Sequence, residues 1–408
     1  MFLIFVFDYA MGIFAKFESL KRKYLKIAVN TRLLLKDKLE GIGWFSYEIL
    51  KRLTQNHPEH QFLFIFDRPY DSSFVFADNV EAIVVGPQAR HPFLYLIWFE
   101  FSIPRILKKH QVDLFLSPDS YLSLSTSIPS VTVIHDLNFE YYPKDLLFFA
   151  RMYNKTMFPR FARKAKRVIS VSEYSKQDIH KLYGIPKEQI DVVYNAANER
   201  FKALDFTEIE DVRKEYSGGI PYFVYVGALN PRKNLVNLLK AFDQLCEKEG
   251  AKAKMIVVGN KMYRTQAIDD TYKNMKFKEQ VVFLGHLKTE DLNRIYGAAL
   301  ALAYVSYFEG FGIPIVEAFR SHCPVITSNV TSMPEVAGDA ALLVDPFSVD
   351  EISSALSRIL NEDDLRKQLI EKGCQQVKKF SWDISAEKMW ESLVKITGPS
   401  TGSGSLEI

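Results

Sequence analysis

The chain has 408 residues, 48% of them hydrophobic and 25% charged, with a formal net charge of +3 and three cysteines. That length exceeds one ordinary core and calls for two domains, and the composition is that of a globular protein rather than a disordered or fibrous one. Cys246, Cys323 and Cys374 are odd in number and lack metal-ligand spacing, which favours a reducing, cytoplasmic compartment over a disulfide framework or a zinc site.

Residues 1–24 form an apolar and basic extension. The apolar run from Met1 to Ala15 is broken by Asp8, is shorter than a bilayer span, and is followed rather than preceded by Lys16, Lys21, Arg22, Lys23 and Lys26. Neither a transmembrane helix nor a secretory signal is expected; a membrane-surface anchor and an extension from an upstream start codon both stay open. From residue 25 onward, apolar runs at 25–30, 61–66, 82–85, 114–116, 131–134, 168–171 and 191–194 predict strands, with helical patterns filling most of the intervals. A turn-rich stretch at 195–198 and a charged helix before residue 217 mark a break. A second series follows at 222–227, 254–259, 281–285, 300–305, 325–327 and 341–344. Strand alternating with helix means a parallel, doubly wound sheet with ligands at strand carboxyl ends, so the fold class is α/β with two such domains, 25–200 and 201–380, and a cleft between them as the expected site. Ser381 caps a terminal amphipathic helix, 381–397, and the Gly/Ser-rich tail 398–408 is flexible by composition.

Residues 1–200 carry 27 Lys+Arg against 21 Asp+Glu, about +6, leaving about −3 for the rest. The densest cluster, from Arg160 through Arg163, Lys164 and Lys166 to Arg167, reads either as a helix end carrying cations or as a patch meeting anionic lipid headgroups. Nucleic acid is not an expected partner, because the cations do not alternate with aromatics.

Four segments carry the chemistry. Gly41-Ile-Gly43 lies between the first strand and the next helix, with Ser46 where a dinucleotide fingerprint would place its third glycine; it is either an ordinary turn or a phosphate-facing helix start. His135 and Asp136 follow a strand, where the histidine is either structural or a sugar contact. Arg232 and Lys233 precede a long helix, an unfavourable place for cations unless an anion is present; the alternatives are a solvated pair and a grip on a diphosphate. Most informative is Glu309-Gly310-Phe311-Gly312-Ile313-Pro314-Ile315-Val316-Glu317. The glycines permit positive φ, Pro314 presets a first helical turn, and Glu309 in the loop with Glu317 in that first turn would hold vicinal hydroxyls. The plain alternative makes Glu317 a complement to the helix dipole and Glu309 a solvated loop residue. No Asp-x-Asp follows a strand, so no metal is expected.

Glu309-x7-Glu317, Pro231-Arg-Lys-Asn234, Gly41-Ile-Gly43, Val133-Ile-His-Asp136 and Val171-Ser-Glu-Tyr-Ser175, in this order, resemble family 4 of the glycosyltransferases over residues 25–397. The family has the GT-B fold, two Rossmann-like domains facing across a deep cleft. The resemblance implies retaining, metal-independent transfer of a sugar from a nucleotide sugar to an acceptor hydroxyl, with no other cofactor. By that likeness Glu309 contacts the donor sugar, with Phe311, Gly312 and Ile313 lining the same turn. Glu317 contacts the ribose, Arg232 and Lys233 the diphosphate, Gly41 and Gly43 the phosphate from the opposite domain, and Gly285 and Leu287 the base, while His135 lies near sugar and acceptor. Glu309, His135, Arg232 and Lys233 are then the candidate catalytic set. In this family the final helix crosses back to the first domain. One departure stands out: many members carry the diphosphate arginine directly after the strand-ending glycine, where this chain has Ala228. The Pro231-Arg-Lys-Asn234 variant, with the Trp98-containing segment and His135-Asp136, looks most like bacterial mannosyltransferases, implying GDP-mannose as donor and a glycan or polyprenyl-linked acceptor, in the cytoplasm or peripherally on the inner face of the plasma membrane. A non-hydrolysing nucleotide-sugar epimerase and a non-catalytic scaffold are the competing readings.

Overall fold

The computed structural model describes residues 24–397 apart from Asp37, Glu40, Arg90, Leu147, Tyr263 and Arg264. The expected extension up to residue 23 and the tail from 398 lie outside the described residues. By compactness the chain divides into two units: residues up to Val133, Arg160–Val168 and Trp390 onward, and then Ile134–Pro159 with Ile169–Met389.

The first sheet contains seven strands, β1 (Lys26–Asn30), β2 (Gln61–Phe66), β3 (Val80–Val84), β4 (Leu114–Ser117), β5 (Ser130–Ile134), β6 (Arg167–Ser170) and β7 (Ile190–Val192), in the order β3-β2-β1-β4-β5-β6-β7. The second has β8 (Tyr222–Val226), β9 (Lys254–Val258), β10 (Val281–Gly285), β11 (Ala301–Tyr304), β12 (Val325–Ser328) and β13 (Ala341–Val344), ordered β10-β9-β8-β11-β12-β13. Both are doubly wound, Rossmann-like sheets in which the strand order reverses beside the first strand. The pairs β1/β2, β1/β4, β8/β9 and β8/β11 are parallel. Strands such as β8 and β11 are buried along their whole length, as expected of parallel strands covered on both faces.

The helices used below are α1 (Gly41–Asn56), α2 (Phe148–Lys164), α3 (Glu173–Tyr183), α4 (Phe206–Ser217), α5 (Leu235–Glu249), α6 (Thr289–Ala298), α7 (Ile313–Arg320), α8 (Met333–Ala337) and α9 (Trp382–Thr397). Helix α5 shows why sequence dictates these elements: Leu235, Leu238, Leu239, Phe242 and Leu245 recur at helical spacing and are all buried against the second sheet. The charged helix expected before residue 217 is α4, opened by a capping box in which Asp205 and Glu208 each accept the other's backbone N–H. Ser381 caps α9 as expected, its hydroxyl accepting from the Asp383 N–H at 3.2 Å. In the second unit Ser385 Oγ donates to the Tyr194 carbonyl. In the first, Trp390 stacks on His57 with centroids 3.8 Å apart.

The strand expected at 300–305 is β11, Ala301–Tyr304, reached just after α6 closes at Ala298 and the Ala299 N–H bonds back to the Tyr296 carbonyl. One expectation is corrected. Glu317 is the fifth residue of α7, one turn later than expected, so it does not complement the dipole at the helix start.

Candidate active site

Topology alone brings the cations and the first glutamate together. Strands β8 and β11 are neighbours at the point where the second sheet reverses its winding, with Ala301 beside Phe223 and Leu302 beside Val224. The loops leaving their carboxyl ends therefore share one crevice. The β8 loop makes a 3-10 turn, Pro231–Lys233, capped by Asn230, whose side chain accepts from the Lys233 N–H. Asn234 ends the turn at φ 58, a left-handed conformation asparagine tolerates better than most residues, and its amide donates to the carbonyls of Val305 and Pro346. The Pro-Arg-Lys-Asn sequence thus pins two cations beside the end of β11.

There they meet Glu309. Lys233 Nζ lies 2.7 Å from Glu309 Oε1 and Arg232 Nη1 lies 3.2 Å from Oε2, while Arg232 Nη1 also donates to the Phe308 carbonyl and Lys233 Nζ to the Tyr304 hydroxyl. The glutamate is 7% exposed. Burial acts to raise its pKa, but Lys233 and Arg232 outweigh it and hold the carboxyl down at about 2. Burial acts to lower both cations. It prevails at Lys233, which stays below its usual range, whereas Glu309 and Asp136 carry Arg232 above its own. The solvated alternatives for Glu309 and for the cation pair are therefore both excluded. Among the described residues, Nε and Nη2 of Arg232 have no hydrogen-bond acceptor, so the guanidinium keeps donors for a further anion.

The loop after Glu309 is held from below. Ser332 Oγ donates to the carbonyls of Glu309 and Phe311, and the Glu309 N–H donates to Thr331 Oγ1. Gly310 does not take positive φ as expected; its glycine requirement is one of space. A Cβ there would stand 2.1 Å from the His135 carbonyl oxygen and 2.7 Å from Asp136 Cβ. This close approach is how His135 and Asp136, which leave the end of β5, come to adjoin the Glu309 loop. Ser172 and Ser175 complete the clamp, both hydroxyls donating to the Gly310 carbonyl at 2.7 and 3.3 Å, while Ser172 also caps α3. The Val171-to-Ser175 motif thereby gains a physical role that its sequence did not disclose. Glu335 of α8 adds to it, accepting from the N–H groups of Glu173 and Tyr174.

Gly312 does adopt positive φ, 100°, as the residue before α7. Among the described residues no carbonyl accepts from the N–H groups of Gly312 and Ile313, leaving the start of α7 open to an anion. The Phe311 side chain turns away instead: it is 4% exposed and packs between Tyr194 and Phe380, so only its backbone is available to a ligand. Glu317 is partly exposed, and its Oε2 accepts from the Tyr296 hydroxyl at 3.1 Å. Burial pushes its pKa up to about 7, with the Tyr296 hydrogen bond opposing. Gly285 ends β10 at φ 71, followed by exposed His286 and half-buried Leu287.

In the first unit Gly41 opens α1 and Gly43 is buried in its first turn, where a Cβ would lie 3.1 Å from the Leu33 carbonyl. Sequence reading missed the polar cluster at that sheet's own reversal point. Asn30 donates to Ser117 Oγ and Asp119 Oδ1, and Arg32 Nε pairs with Asp119 Oδ2 at 2.6 Å between the rings of Tyr95 and Tyr121. Among the described residues no cluster of three or more His, Cys, Asp or Glu side chains is arranged to hold a metal.

Two family models match the chain: "Glycosyltransferase Family 4" over residues 39–201 and "Glycosyl transferases group 1" over 207–376. O-antigen chain mannosyltransferase B of Escherichia coli is 29% identical over 371 residues, covering 86% of this chain and 94% of the relative. O-antigen chain mannosyltransferase RfbU of Salmonella typhimurium is 30% identical over 226 residues, 55% of this chain and 59% of that protein. Among solved structures, a glycosyltransferase from Rickettsia africae superposes with a TM-score of 0.71 at 19% identity, covering 93% of this chain and 100% of the other. HepE of Anabaena, in complex with UDP and glucose, does so with 0.71 at 18% identity, over 91% of this chain and 99% of the other. These structural likenesses establish the fold.

Proposed function

Because the chain belongs to the family 4, group 1 glycosyltransferases, we propose that it transfers mannose from GDP-mannose to a hydroxyl of a growing surface polysaccharide, with retention and without a metal ion. The observation that carries this reading is the buried Arg232–Glu309–Lys233 cluster beside the open start of α7. Two cations share one carboxylate there, and Arg232 keeps unspent donors with which to hold a diphosphate. The relatives named as O-antigen mannosyltransferases support the sugar and the kind of acceptor.

In this mechanism the C1–O bond to the diphosphate breaks while Arg232, Lys233 and the α7 N–H groups take up the charge on the departing oxygen. The acceptor hydroxyl attacks C1 from the same face, and its proton passes to that departing phosphate oxygen. Glu309 then orients the sugar hydroxyls and keeps the two cations in place, and neither glutamate serves as a general base. His135, brought to the same loop by Gly310, borders the reacting sugar. Glu317, with one oxygen unclaimed among the described residues, receives the ribose hydroxyls.

The test is incubation of the protein with GDP-mannose, UDP-glucose or ADP-glucose, EDTA and a polyprenyl-linked oligosaccharide acceptor, with NMR of the product. An α-linked mannoside formed in EDTA is expected. A β-linked product overturns retention, a requirement for a metal overturns the charge assignment, and an isomerised donor without acceptor moves the protein to the epimerases.

A further inference from the structure

We propose that a band of aromatic rings beside the Glu309 loop holds the acceptor as an extended glycan chain, gripping several sugars rather than one. The inference rests on the reading of that loop as the centre of sugar transfer. Phe308, the residue before Glu309, is 3% exposed and forms the floor of the band. Tyr141, Tyr142 and Tyr174 pack around it, with ring centroids 5.2, 6.2 and 5.9 Å away. Tyr307 stacks on Phe347 at 4.7 Å with the ring planes 20° apart. Burial raises the pKa of the Tyr307 hydroxyl and the Tyr142 hydroxyl raises it further, which makes these two rings neighbours and joins the two sets. All six residues lie in the second unit. Phe347 and Tyr141 are exposed by 63 and 42%, and Tyr142, Tyr174 and Tyr307 are partly exposed.

The band is tied to the candidate site through the backbone. The Tyr307 N–H donates to the Arg232 carbonyl, and the Phe308 carbonyl accepts from Arg232 Nη1. Its rings are also fixed before any ligand arrives. Tyr141 donates to Asp178 Oδ1 at 2.6 Å, and the Asn237 amide donates to the Tyr307 hydroxyl and to the carbonyl of Pro346, beside Phe347. Rings held in place lose little freedom on binding. Chemistry identifies the occupant. The C–H face of a sugar meets the electron-rich face of an aromatic ring, while tyrosine hydroxyls answer the sugar's own hydroxyls. An anionic polymer or headgroup would need cations, and no Lys or Arg is an immediate chain neighbour of the six rings, whereas Glu140, Glu173 and Glu309 are. The densest cationic cluster instead closes α2, with Arg163 and Lys164 in its last turn.

The experiment is calorimetric titration of the full chain, with and without GDP, using mannose, glucose and galactose oligosaccharides from the mono- to the hexasaccharide. In at least one series affinity should rise about tenfold or more from the monosaccharide to the tetrasaccharide. Phe347→Ser and Tyr141→Ser should each bind the hexasaccharide at least about fivefold more weakly, both with the GDP response of wild type. Phe347→Tyr, which keeps a ring, should bind like wild type. Affinity that ignores length in every series overturns the proposal. So does either serine variant binding the hexasaccharide like wild type, or Phe347→Ser turning a dimer into a monomer, which would make the band a contact between copies of this chain. Length-dependent binding by a protein that transfers no sugar from GDP-mannose upholds the band and counts against the donor alone, so the two readings fail separately.

Discussion

Replacing Glu309 by Gln separates shape from charge where Arg232 and Lys233 meet. Its carboxyl is held at about 2 against an ordinary 4.5, and each pKa unit is worth about 1.4 kcal/mol, so the ionised form is favoured in the folded protein by about 3 kcal/mol. Because the folded pKa lies below the unfolded one, that contribution is complete above about pH 4.5 and is lost as the pH falls toward about 2. At pH 7 the variant should therefore unfold with about 3 kcal/mol less stability, within the range for breaking a buried ion pair, and the gap should narrow below about pH 4.5. With the cations assigned to the donor diphosphate as proposed, GDP would supply the missing negative charge. It should raise the melting temperature of the variant more than that of wild type, while turnover falls about a hundredfold or more. Denaturant unfolding and GDP thermal titration on both proteins measure the two effects. A variant as stable as wild type, or one stabilised less by GDP, would refute the assignment of the cations to phosphate and of Glu309 to the cations.

Glu317, raised to about 7, carries the opposite sign: its contribution to stability is present below about pH 4.5 and is lost as the pH rises through about 7. Glu317→Gln should thus stabilise the unliganded protein at alkaline pH. If its carboxylate receives ribose hydroxyls, guanosine affinity should rise up to about tenfold between about pH 6 and 8 in wild type and stay flat in the variant; parallel profiles by calorimetry would remove it from the nucleoside site. Gly310→Ala puts a methyl 2.1 Å from the His135 carbonyl and should cost about 1–3 kcal/mol together with most activity, an idea that wild-type melting would end. Ser172→Ala loses both the α3 cap and the bond to the Gly310 carbonyl, about 1–2 kcal/mol in denaturant unfolding, whereas unchanged stability would make the clamp incidental.

The strands were legible because parallel strands are written as continuous apolar runs: the expected 61–66 coincides with β2, buried at all but its first position, and the expected 281–285 and 341–344 coincide with β10 and β13, apolar although they are the edges of the second sheet and only partly buried. The partners of Glu309 were not. Arg232 and Lys233 stand 77 and 76 residues away, and only the pairing of β8 with β11 makes them neighbours. Ser172 was visible as part of a motif, but its function depends on a carbonyl 138 residues further on. Gly310 was read as a residue of unusual φ when it is one of close approach, a distinction no local pattern carries, since it belongs to the His135 backbone across the crevice. Nothing in the sequence marked Tyr304 or Tyr296, whose hydroxyls face Lys233 and Glu317 from the strand and helix that precede the loop.

The seven-residue interval of Glu-x7-Glu has a physical meaning in these surroundings. Glu309 precedes a turn that ends at Gly312, and Glu317 follows one turn inside α7, so the same short segment delivers one carboxyl to the end of β8 and the other to the flank of α6. The first meets two cations and is ionised at any physiological pH; the second meets a tyrosine hydroxyl and is balanced near pH 7. Environments that push two carboxyl groups this far apart assign them different work. A permanently charged Glu309 can order cations and sugar hydroxyls without exchanging a proton. If Glu317 receives ribose hydroxyls as proposed, a half-ionised carboxyl would gain its charge as they arrive, and nucleoside binding should be accompanied by proton release, which calorimetry in buffers of different ionisation enthalpy would detect.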